Sequence, residues 1–210
     1  MPFFTTIKNE YGHISVWKLT EKWEELLPQI TLSKRDQERF NAINFEKRKT
    51  EFLATRILLK LALGENESID YNANGKPFLR DGKKQISISH SASYACIFIA
   101  DKKVGIDIEL SDRSIERIAD RFLQHEEKKQ IAELADLQLA RIVYWSAKEA
   151  IFKCADIHGI RFNEQIKIRP FLPGDEVVFY GQFVLHGKVT EYRLKLHLIE
   201  NNVLVFCVEN

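Results

Sequence analysis

The stretch Tyr94–Glu109, which reads YACIFIADKKVGIDIE, decides the predicted fold because it places two strands on either side of a polar turn. Its first seven residues are apolar throughout and predict a buried strand. Its last six residues alternate and predict a strand with one apolar face. The DKK between them lies near the middle of the 210-residue chain, so we expect two units, 1–102 and 103–210.

Both halves repeat one order of elements, in which a strand leads through helices to closing antiparallel strands. The predicted elements are, in chain order, a strand at Ile14–Leu19, helices from Ser33 to Gly64 broken near Asn44, a hairpin at 86–100, a strand at Val104–Glu109, helices at 114–155 and antiparallel strands from Arg161 onward. We therefore expect an α+β protein of two similar, pseudo-symmetric α/β lobes, each with helices packed on a mainly antiparallel sheet. A single α+β domain without internal symmetry is the alternative.

Composition excludes several classes of protein. The chain carries 31 Lys and Arg against 30 Asp and Glu, for a net charge of +1, and 45% of its residues are hydrophobic. That much apolar surface excludes a disordered chain, and the near-zero charge disfavours a nucleic-acid coat or a polybasic membrane binder. Three widely spaced cysteines form no disulfide or zinc pattern. Neither a secretory signal nor a bilayer-spanning run is visible, so we expect a cytoplasmic protein without nucleic-acid or membrane partners.

The strand Gly105–Glu109 carries two carboxylates in a D-x-E pattern. Because successive side chains on a strand alternate faces, Asp107 and Glu109 project together while Ile106 and Ile108 project oppositely. Two carboxylates on one face can share a hard divalent cation through their oxygens. An edge strand with one solvated face is the alternative.

A second candidate lies on a predicted helix that is apolar nearly all the way round, which is typical of a buried helix. Within it, Glu149 and Lys153 are four residues apart and lie on one face, beside Ser146. A carboxylate and an ammonium on a buried helix form either an ion pair or a functional site.

The first half carries candidate anion contacts. We expect a loop over 72–85, in which Gly75 and Pro77 present Lys76 and Asp81–Gly82 forms a second turn. Next come Ser89 and His90 at the end of a strand. The stretch 34–60, which includes Arg48 and Arg56, has a net charge of +4 and is either a cradle for a polyphosphate or a set of solvated helix faces.

Taken together and in this order, these segments resemble the 4′-phosphopantetheinyl transferase superfamily, of the two-lobed Sfp type. The matching motifs are Gly75–Pro77 with Ile88–Ser91, then Gly105–Glu109, then Trp145–Lys153. The resemblance implies transfer of the 4′-phosphopantetheine arm of coenzyme A to a serine of an acyl, peptidyl or aryl carrier protein, with release of adenosine 3′,5′-bisphosphate. It also implies that coenzyme A lies in a cleft between two α/β lobes.

The resemblance further implies roles for individual residues. Mg²⁺ is expected at Asp107, Glu109 and Glu149, with Glu149 also taking the serine proton and Lys153 assisting the leaving phosphate. Coenzyme A contacts are expected at Lys76, Ser89, His90, Arg48 and Arg56. Glu127 resembles a further acidic position near the metal.

Two alternatives remain open at this point. D-x-E followed by E-x-x-x-K also describes a Mg²⁺-dependent, nuclease-like phosphodiesterase, which the net charge of +1 does not favour. A catalytically inactive carrier-binding protein is the other, although all four candidate catalytic and metal residues are present. The carrier protein must be a separate chain, and two fused lobes imply a monomer.

Overall fold

The computed structural model describes residues 3–64, 67–80 and 82–210, without the side chains of Phe3 and Phe4. It consists of two compact units, Met1–Asp101 and Lys102–Asn210. Each unit packs helices on its own antiparallel sheet, so the expected α+β class is confirmed. No helix in the described ranges is both long and apolar enough to cross a bilayer.

The first unit is built on a four-stranded antiparallel sheet in the order β1-β2-β6-β5, with β3 and β4 as a separate hairpin. Its strands are β1 (Phe3–Asn9), β2 (Gly12–Lys18), β3 (Ile69–Tyr71), β4 (Pro77–Leu79), β5 (Gln85–His90) and β6 (Tyr94–Ala100). Its helices are α1 (Trp23–Leu26), α2 (Lys34–Asn41) and α3 (Glu46–Leu63). The long helix α3 packs on β2 and β6.

The ends of α2 and α3 follow from local chemistry. The Ser33 side chain accepts a hydrogen bond from the Asp36 backbone N–H and thereby begins α2. Gly64 ends α3 with a φ of 90°, in the region that favours glycine. The expectation of two helices broken near Asn44 is confirmed.

The second unit is built on a five-stranded antiparallel sheet in the order β7-β11-β10-β9-β8. Its strands are β7 (Val104–Leu110), β8 (Ile166–Ile168), β9 (Val178–Leu185), β10 (Lys188–Ile199) and β11 (Asn202–Glu209). Its helices are α4 (Ala119–Phe122), α5 (His125–Ala132), α6 (Leu137–Ala155) and α7 (Phe162–Gln165). The long helix α6 packs on β7 and β11.

The two units share one topological core. In the first unit β2 leads through α3 to the hairpin β5-β6, and β2 pairs with the last strand, β6. In the second unit β7 leads through α6 to the hairpin β10-β11, and β7 again pairs with the last strand. In each unit the long helix covers the first and last strands of this core.

The structure also contains strands that the sequence pattern did not predict. The expectation of a loop over 72–85 was wrong in part, because β4 lies within it and β5 begins at Gln85. Three-residue strands such as β3 and β4 are too short to show alternation. The Asp81 part of the predicted second turn lies outside the described residues.

Candidate functional site

Strand β7 holds two carboxylates against helix α6. Asp107 is buried and Glu109 is half-buried, while Ile106 and Ile108 are fully buried, as the alternation predicted. Helix and strand meet at Gly105, where an added Cβ atom would lie only 1.8 Å from the Ala150 carbonyl oxygen. This close approach brings the strand next to the helical turn that carries Glu149.

Glu149 is an electrostatic neighbour of both strand carboxylates. Burial, followed by the charge of Asp107, raises the pKa of Glu149 to about 7, with Glu109 adding to the rise and Lys153 opposing it. Burial and then Asp107 also raise the pKa of Glu109. We call Asp107, Glu109 and Glu149 the acidic face. Their mutual repulsion favours either protonation or a bound cation.

Basic and polar side chains already contact the acidic face. Lys153 Nζ donates to Asp107 Oδ1 at 2.7 Å and to the Ile106 carbonyl oxygen at 3.0 Å. Glu109 Oε1 accepts from Trp145 Nε1 at 3.1 Å and from the Arg113 guanidinium. Arg113 was missed in the sequence because it reaches Glu109 from the turn after β7, where no periodicity points to it.

The donor set of the acidic face suits a hard divalent cation, because all three side chains offer carboxylate oxygens. Burial first, and then the charge of Asp107, raises the pKa of both Glu109 and Glu149, so a cation there would relieve the repulsion between these groups. Among the described residues, however, these three do not bring one oxygen each within 4.8 Å of one another. A cation at this place therefore requires side-chain movements. Lys153 and Arg113, which contact Asp107 and Glu109, would then share these carboxylates with the cation.

A cavity of about 560 Å³ lies within the first unit. It is lined by α3, by the segment before it, by β5 and by the turn at Gly75. Two predicted anion contacts, Arg48 and His90, lie on its wall, and their side chains contact each other. The buried Glu51 carboxylate lies 3.0 Å from Arg48 Nη1 and 3.6 Å from His90 Nε2. The cavity wall therefore contains two basic groups organised by one acid.

Lys76 and Ser89 occupy different positions relative to this cavity. The backbone N–H of Lys76 closes the turn before it by donating a hydrogen bond to Asn72 Oδ1 at 2.9 Å. Within this turn, Gly75 adopts a φ of 78°. Gly75 and Pro77 line the cavity and flank the half-buried Lys76. On β5, Ile88 and His90 line the cavity, so the buried Ser89 between them projects to the opposite face of the strand.

Arg56 lines the same cavity but is held in a buried ion pair. Its Nη2 lies 3.2 Å from Asp36 Oδ1, and its Nη1 donates to the Tyr71 hydroxyl at 3.2 Å. Its guanidinium also lies 3.7 Å from the centroid of the Phe52 ring. Arg56 therefore joins α2 to α3, and the helices hold it in place for any contact with a ligand.

Glu127 does not join the acidic face, which corrects the resemblance-based expectation. Its Oε2 lies 2.6 Å from Lys148 Nζ, and its Oε1 accepts from the Ile168 backbone N–H at 2.8 Å. Glu127 and Lys148 are almost completely buried, and Lys148 also donates to the Ile166 carbonyl oxygen at 2.7 Å. These partners engage both oxygens of the carboxylate, so Glu127 serves to join α5, α6 and β8.

Comparison with known proteins shows which family this chain matches. A family model described as the 4′-phosphopantetheinyl transferase superfamily matches residues 103–207, which is half of the chain. No curated protein matches the chain. Among solved structures the chain is similar to holo-[acyl-carrier-protein] synthase from Thermotoga maritima, at 18% identity and a TM-score of 0.37. That alignment covers 51% of this chain and 62% of the Thermotoga chain, and a likeness at this level carries no argument about function.

Proposed function

The chain belongs to the 4′-phosphopantetheinyl transferase superfamily, and from that premise we propose that it transfers 4′-phosphopantetheine from coenzyme A to a serine of a carrier protein. In this reaction the serine Oγ forms a bond to the phosphorus that bears the pantetheine arm. The bond from that phosphorus to its bridging oxygen breaks, and adenosine 3′,5′-bisphosphate leaves. The serine proton passes to a base on the protein.

The observation that carries the proposal is the position of Glu149 beside Asp107 and Glu109. Without a cation the pKa of Glu149 is raised to about 7, and a bound Mg²⁺ would lower it and keep the carboxylate in the form that accepts a proton. Burial supplies the largest part of that rise. We propose that Glu149 accepts the serine proton, directly or through a water molecule.

Lys153 supports the departure of the leaving group. It lies one helical turn after Glu149 on α6, and its ammonium group already contacts the acidic face at Asp107 Oδ1. An ammonium group there can donate to phosphate oxygens as negative charge develops on them. When Mg²⁺ is bound by Asp107, Glu109 and Glu149, it supplies charge neutralisation for the pyrophosphate.

The first unit is proposed to bind the nucleotide end of coenzyme A. Its cavity of about 560 Å³ presents Arg48 and His90 on one wall and the turn that bears Lys76 on another. Guanidinium groups and imidazole N–H groups can donate hydrogen bonds to phosphate oxygens. Arg56, which is held by Asp36, is proposed as a supporting contact to coenzyme A. Ser89 is also proposed as a contact, but from the face of β5 that points away from this cavity.

The full proposal is a two-lobed, Sfp-type enzyme that acts as a cytoplasmic monomer on a separate acyl, peptidyl or aryl carrier protein, without nucleic acid. The presence of one shared topological core in both units of a single chain supports the two-lobed type. The 1–102 and 103–210 lobes are proposed to bind coenzyme A and to perform the chemistry, respectively.

The test is an in vitro transfer assay read by mass spectrometry. Apo carrier proteins of the fatty-acid, polyketide and peptide types are incubated with coenzyme A, Mg²⁺ and the protein. We expect a gain of about 340 Da on the acceptor serine of at least one carrier, the mass of the transferred arm in a metal-assisted reaction. No gain on any of the three carrier types would overturn the proposed function.

The role of Glu149 is tested with Glu149→Gln in the same assay. We expect kcat to fall at least about 100-fold, the usual contribution of a general base, with the circular dichroism spectrum unchanged. Glu133→Gln is the matched control, because Glu133 is exposed and lies in the same unit. A Glu149→Gln enzyme with kcat close to that of the control would exclude Glu149 as the base.

A further inference from the structure

Asp175, Glu176 and His197 form a second cluster of metal-ligating side chains in the second unit. One ligand atom from each residue lies within 4.8 Å of those of the other two. His197 lies on β10, and the two acids lie in the segment 169–177 between β8 and β9. Among the described residues, these are the three metal-ligating side chains that come this close together, and none of them belongs to the acidic face.

The imidazole of His197 is held in a fixed place by its surroundings. The residue is 5% exposed and its ring stacks on Phe206, with 5.9 Å between the ring centroids. Its Nδ1 lies 2.8 Å from Glu176 Oε1, so this nitrogen faces the two acids. An imidazole nitrogen and two carboxylates that lie this close together can converge on one cation.

The other ring nitrogen, His197 Nε2, is buried and has no hydrogen-bond partner among the described residues. Without a cation, the Glu176 carboxylate accepts a hydrogen bond from Nδ1–H and so places the ring proton on Nδ1. A cation that binds Nδ1 displaces this proton, and the ring then carries its proton on Nε2 with the Nδ1 lone pair directed toward the carboxylates.

The two carboxylates are held in place by neighbouring donors. Lys195 Nζ donates to Glu176 Oε2, and Glu176 Oε1 remains directed at His197. Asp175 Oδ1 accepts from the backbone N–H groups of Glu176 and Leu198 at 3.0 and 2.9 Å, which orients this exposed side chain. Glu176 is itself exposed, so a cation can reach the cluster from solvent.

From this geometry we propose that Asp175, Glu176 and His197 bind a divalent transition metal of the Zn²⁺ class. One imidazole nitrogen with two carboxylate oxygens is a donor set that suits Zn²⁺, whereas Mg²⁺ prefers oxygen ligands alone. The bound ion ties segment 169–177 to β10 and thereby stabilises the second unit. The site does not depend on the proposed transferase function and is separate from the acidic face, so either can fail without the other.

Lys195 gives the proposal a directional consequence. Its Nζ lies 2.5 Å from Glu176 Oε2 and places a positive charge beside the site. That charge opposes a dication, so its removal strengthens metal binding. If the cluster were only a hydrogen-bonded surface group, removal of Lys195 would have no effect on metal affinity.

The experiment is titration of the metal-free protein with ZnCl₂ by calorimetry, in excess Mg²⁺ so that the acidic face is occupied. We expect one Zn²⁺ per chain, with binding weakened at least about tenfold by Glu176→Gln or Asp175→Asn. These exposed positions are chosen because His197 is buried and its replacement would disturb the fold. Lys195→Gln is expected to tighten binding severalfold, and Glu164→Gln, an exposed acid elsewhere in the unit, is expected to have no effect.

A spectroscopic readout reports the coordination geometry of the bound ion. Co²⁺ bound in place of Zn²⁺ should give the intensified visible absorption of a low-coordinate site, lost in Glu176→Gln and retained in Glu164→Gln. All three cysteines are buried, so thiolate binding at the surface does not compete. Absence of a Zn²⁺ isotherm, or equal affinities for Glu176→Gln and Glu164→Gln, would overturn the proposal.

Discussion

At the scale of single residues, Lys148 and Glu127 form the most deeply buried ion pair among the described residues of the second unit. The two side chains are 0% and 1% exposed and lie 2.6 Å apart. Burial lowers the pKa of Lys148, and the charge and hydrogen bond of Glu127 oppose that effect. Because each charge depends on the other in this environment, the pair is expected to matter for folding rather than for catalysis.

Removal of one partner should therefore be costly. Lys148→Met is expected to lower the free energy of unfolding by about 3–5 kcal/mol, because it leaves the Glu127 carboxylate buried without its cation. The double variant Lys148→Met/Glu127→Gln should recover part of that loss, since no net charge then remains at the site. Urea unfolding of the wild type, both single variants and the double variant measures the coupling.

A separate measurement distinguishes this structural role from metal binding. Glu127→Gln should leave the Mg²⁺ concentration required for half-maximal transfer unchanged, because Glu127 contacts Lys148 and backbone N–H groups instead of the acidic face. A marked rise in that requirement, with stability unchanged, would place Glu127 among the metal ligands after all.

At the scale of elements, the packing of α6 on β7 determines the geometry of the acidic face. Gly105 permits it, because the helix backbone occupies the space that a side chain would need. An added Cβ atom would lie 1.8 Å from the Ala150 carbonyl oxygen and 2.9 Å from the Cys154 backbone nitrogen. Both are backbone atoms of α6, which cannot rotate away as a side chain could, so the helix itself would have to move.

Gly105→Ala is thus expected to separate Glu149 from Asp107 and Glu109. We expect a loss of about 1–3 kcal/mol or more in stability from overpacking, together with a fall in kcat larger than the loss of folded protein explains. Gly174→Ala is the matched control, since its Cβ would meet only Val177 Cγ2, at 3.5 Å. Thermal unfolding and the transfer assay on the folded fraction report the two effects, and equal behaviour of both variants would contradict this account.

The elements that carry the acidic face were the most predictable from sequence. The alternation of Gly105–Glu109 predicted a strand with two carboxylates on one face, and the apolar surroundings of Glu149 predicted a buried helix; both are observed. The pairing of Lys148 with Glu127 could not be predicted, because it depends on contacts between residues 21 apart in the chain. Neither could the approach of Arg113 to Glu109, which follows from the turn after β7.

At the scale of the whole molecule, acid stability depends on carboxylates that are held in the charged form. Asp70 in the first unit is an example. Burial alone would raise its pKa, but the guanidinium groups of Arg35, Arg80 and Arg39 together hold it below the ordinary value of 3.8. A carboxyl group with a lowered pKa stabilises the folded state above its unfolded pKa, and this contribution is lost as the pH falls through the folded value.

Asp70→Asn should consequently be less stable than the wild type at pH 7, by about 1 kcal/mol, because the partner arginines are partly solvated. The difference in melting temperature should shrink as the pH falls below 3.8 and Asp70 of the wild type becomes protonated. Thermal unfolding from pH 7 to pH 2.5 measures the trend. A difference that stays constant over that range would show that the charge of Asp70 contributes nothing.

The order of elements in both halves was predictable from the sequence, since strand and helix periodicities are local properties. The two short strands β3 and β4 and the outermost strand β1 were not. The sequence pattern also could not predict which strands pair with each other. That β7 pairs with β11, nearly 100 residues later, is decided by packing over α6 and not by any local signal.

The shared topological core carries different side chains at equivalent positions of the two units. Counting along the two equivalent ladders, β2 carries Ser15 and Trp17 at the positions where β7 carries Asp107 and Glu109. Trp17 belongs to the apolar core beneath α3. The first unit therefore has an indole ring at the position where the second unit has the Glu109 carboxylate. The first unit thus has no counterpart of the strand carboxylates at these two positions, and it packs its sheet against its helix with an apolar side chain where the second unit carries charge.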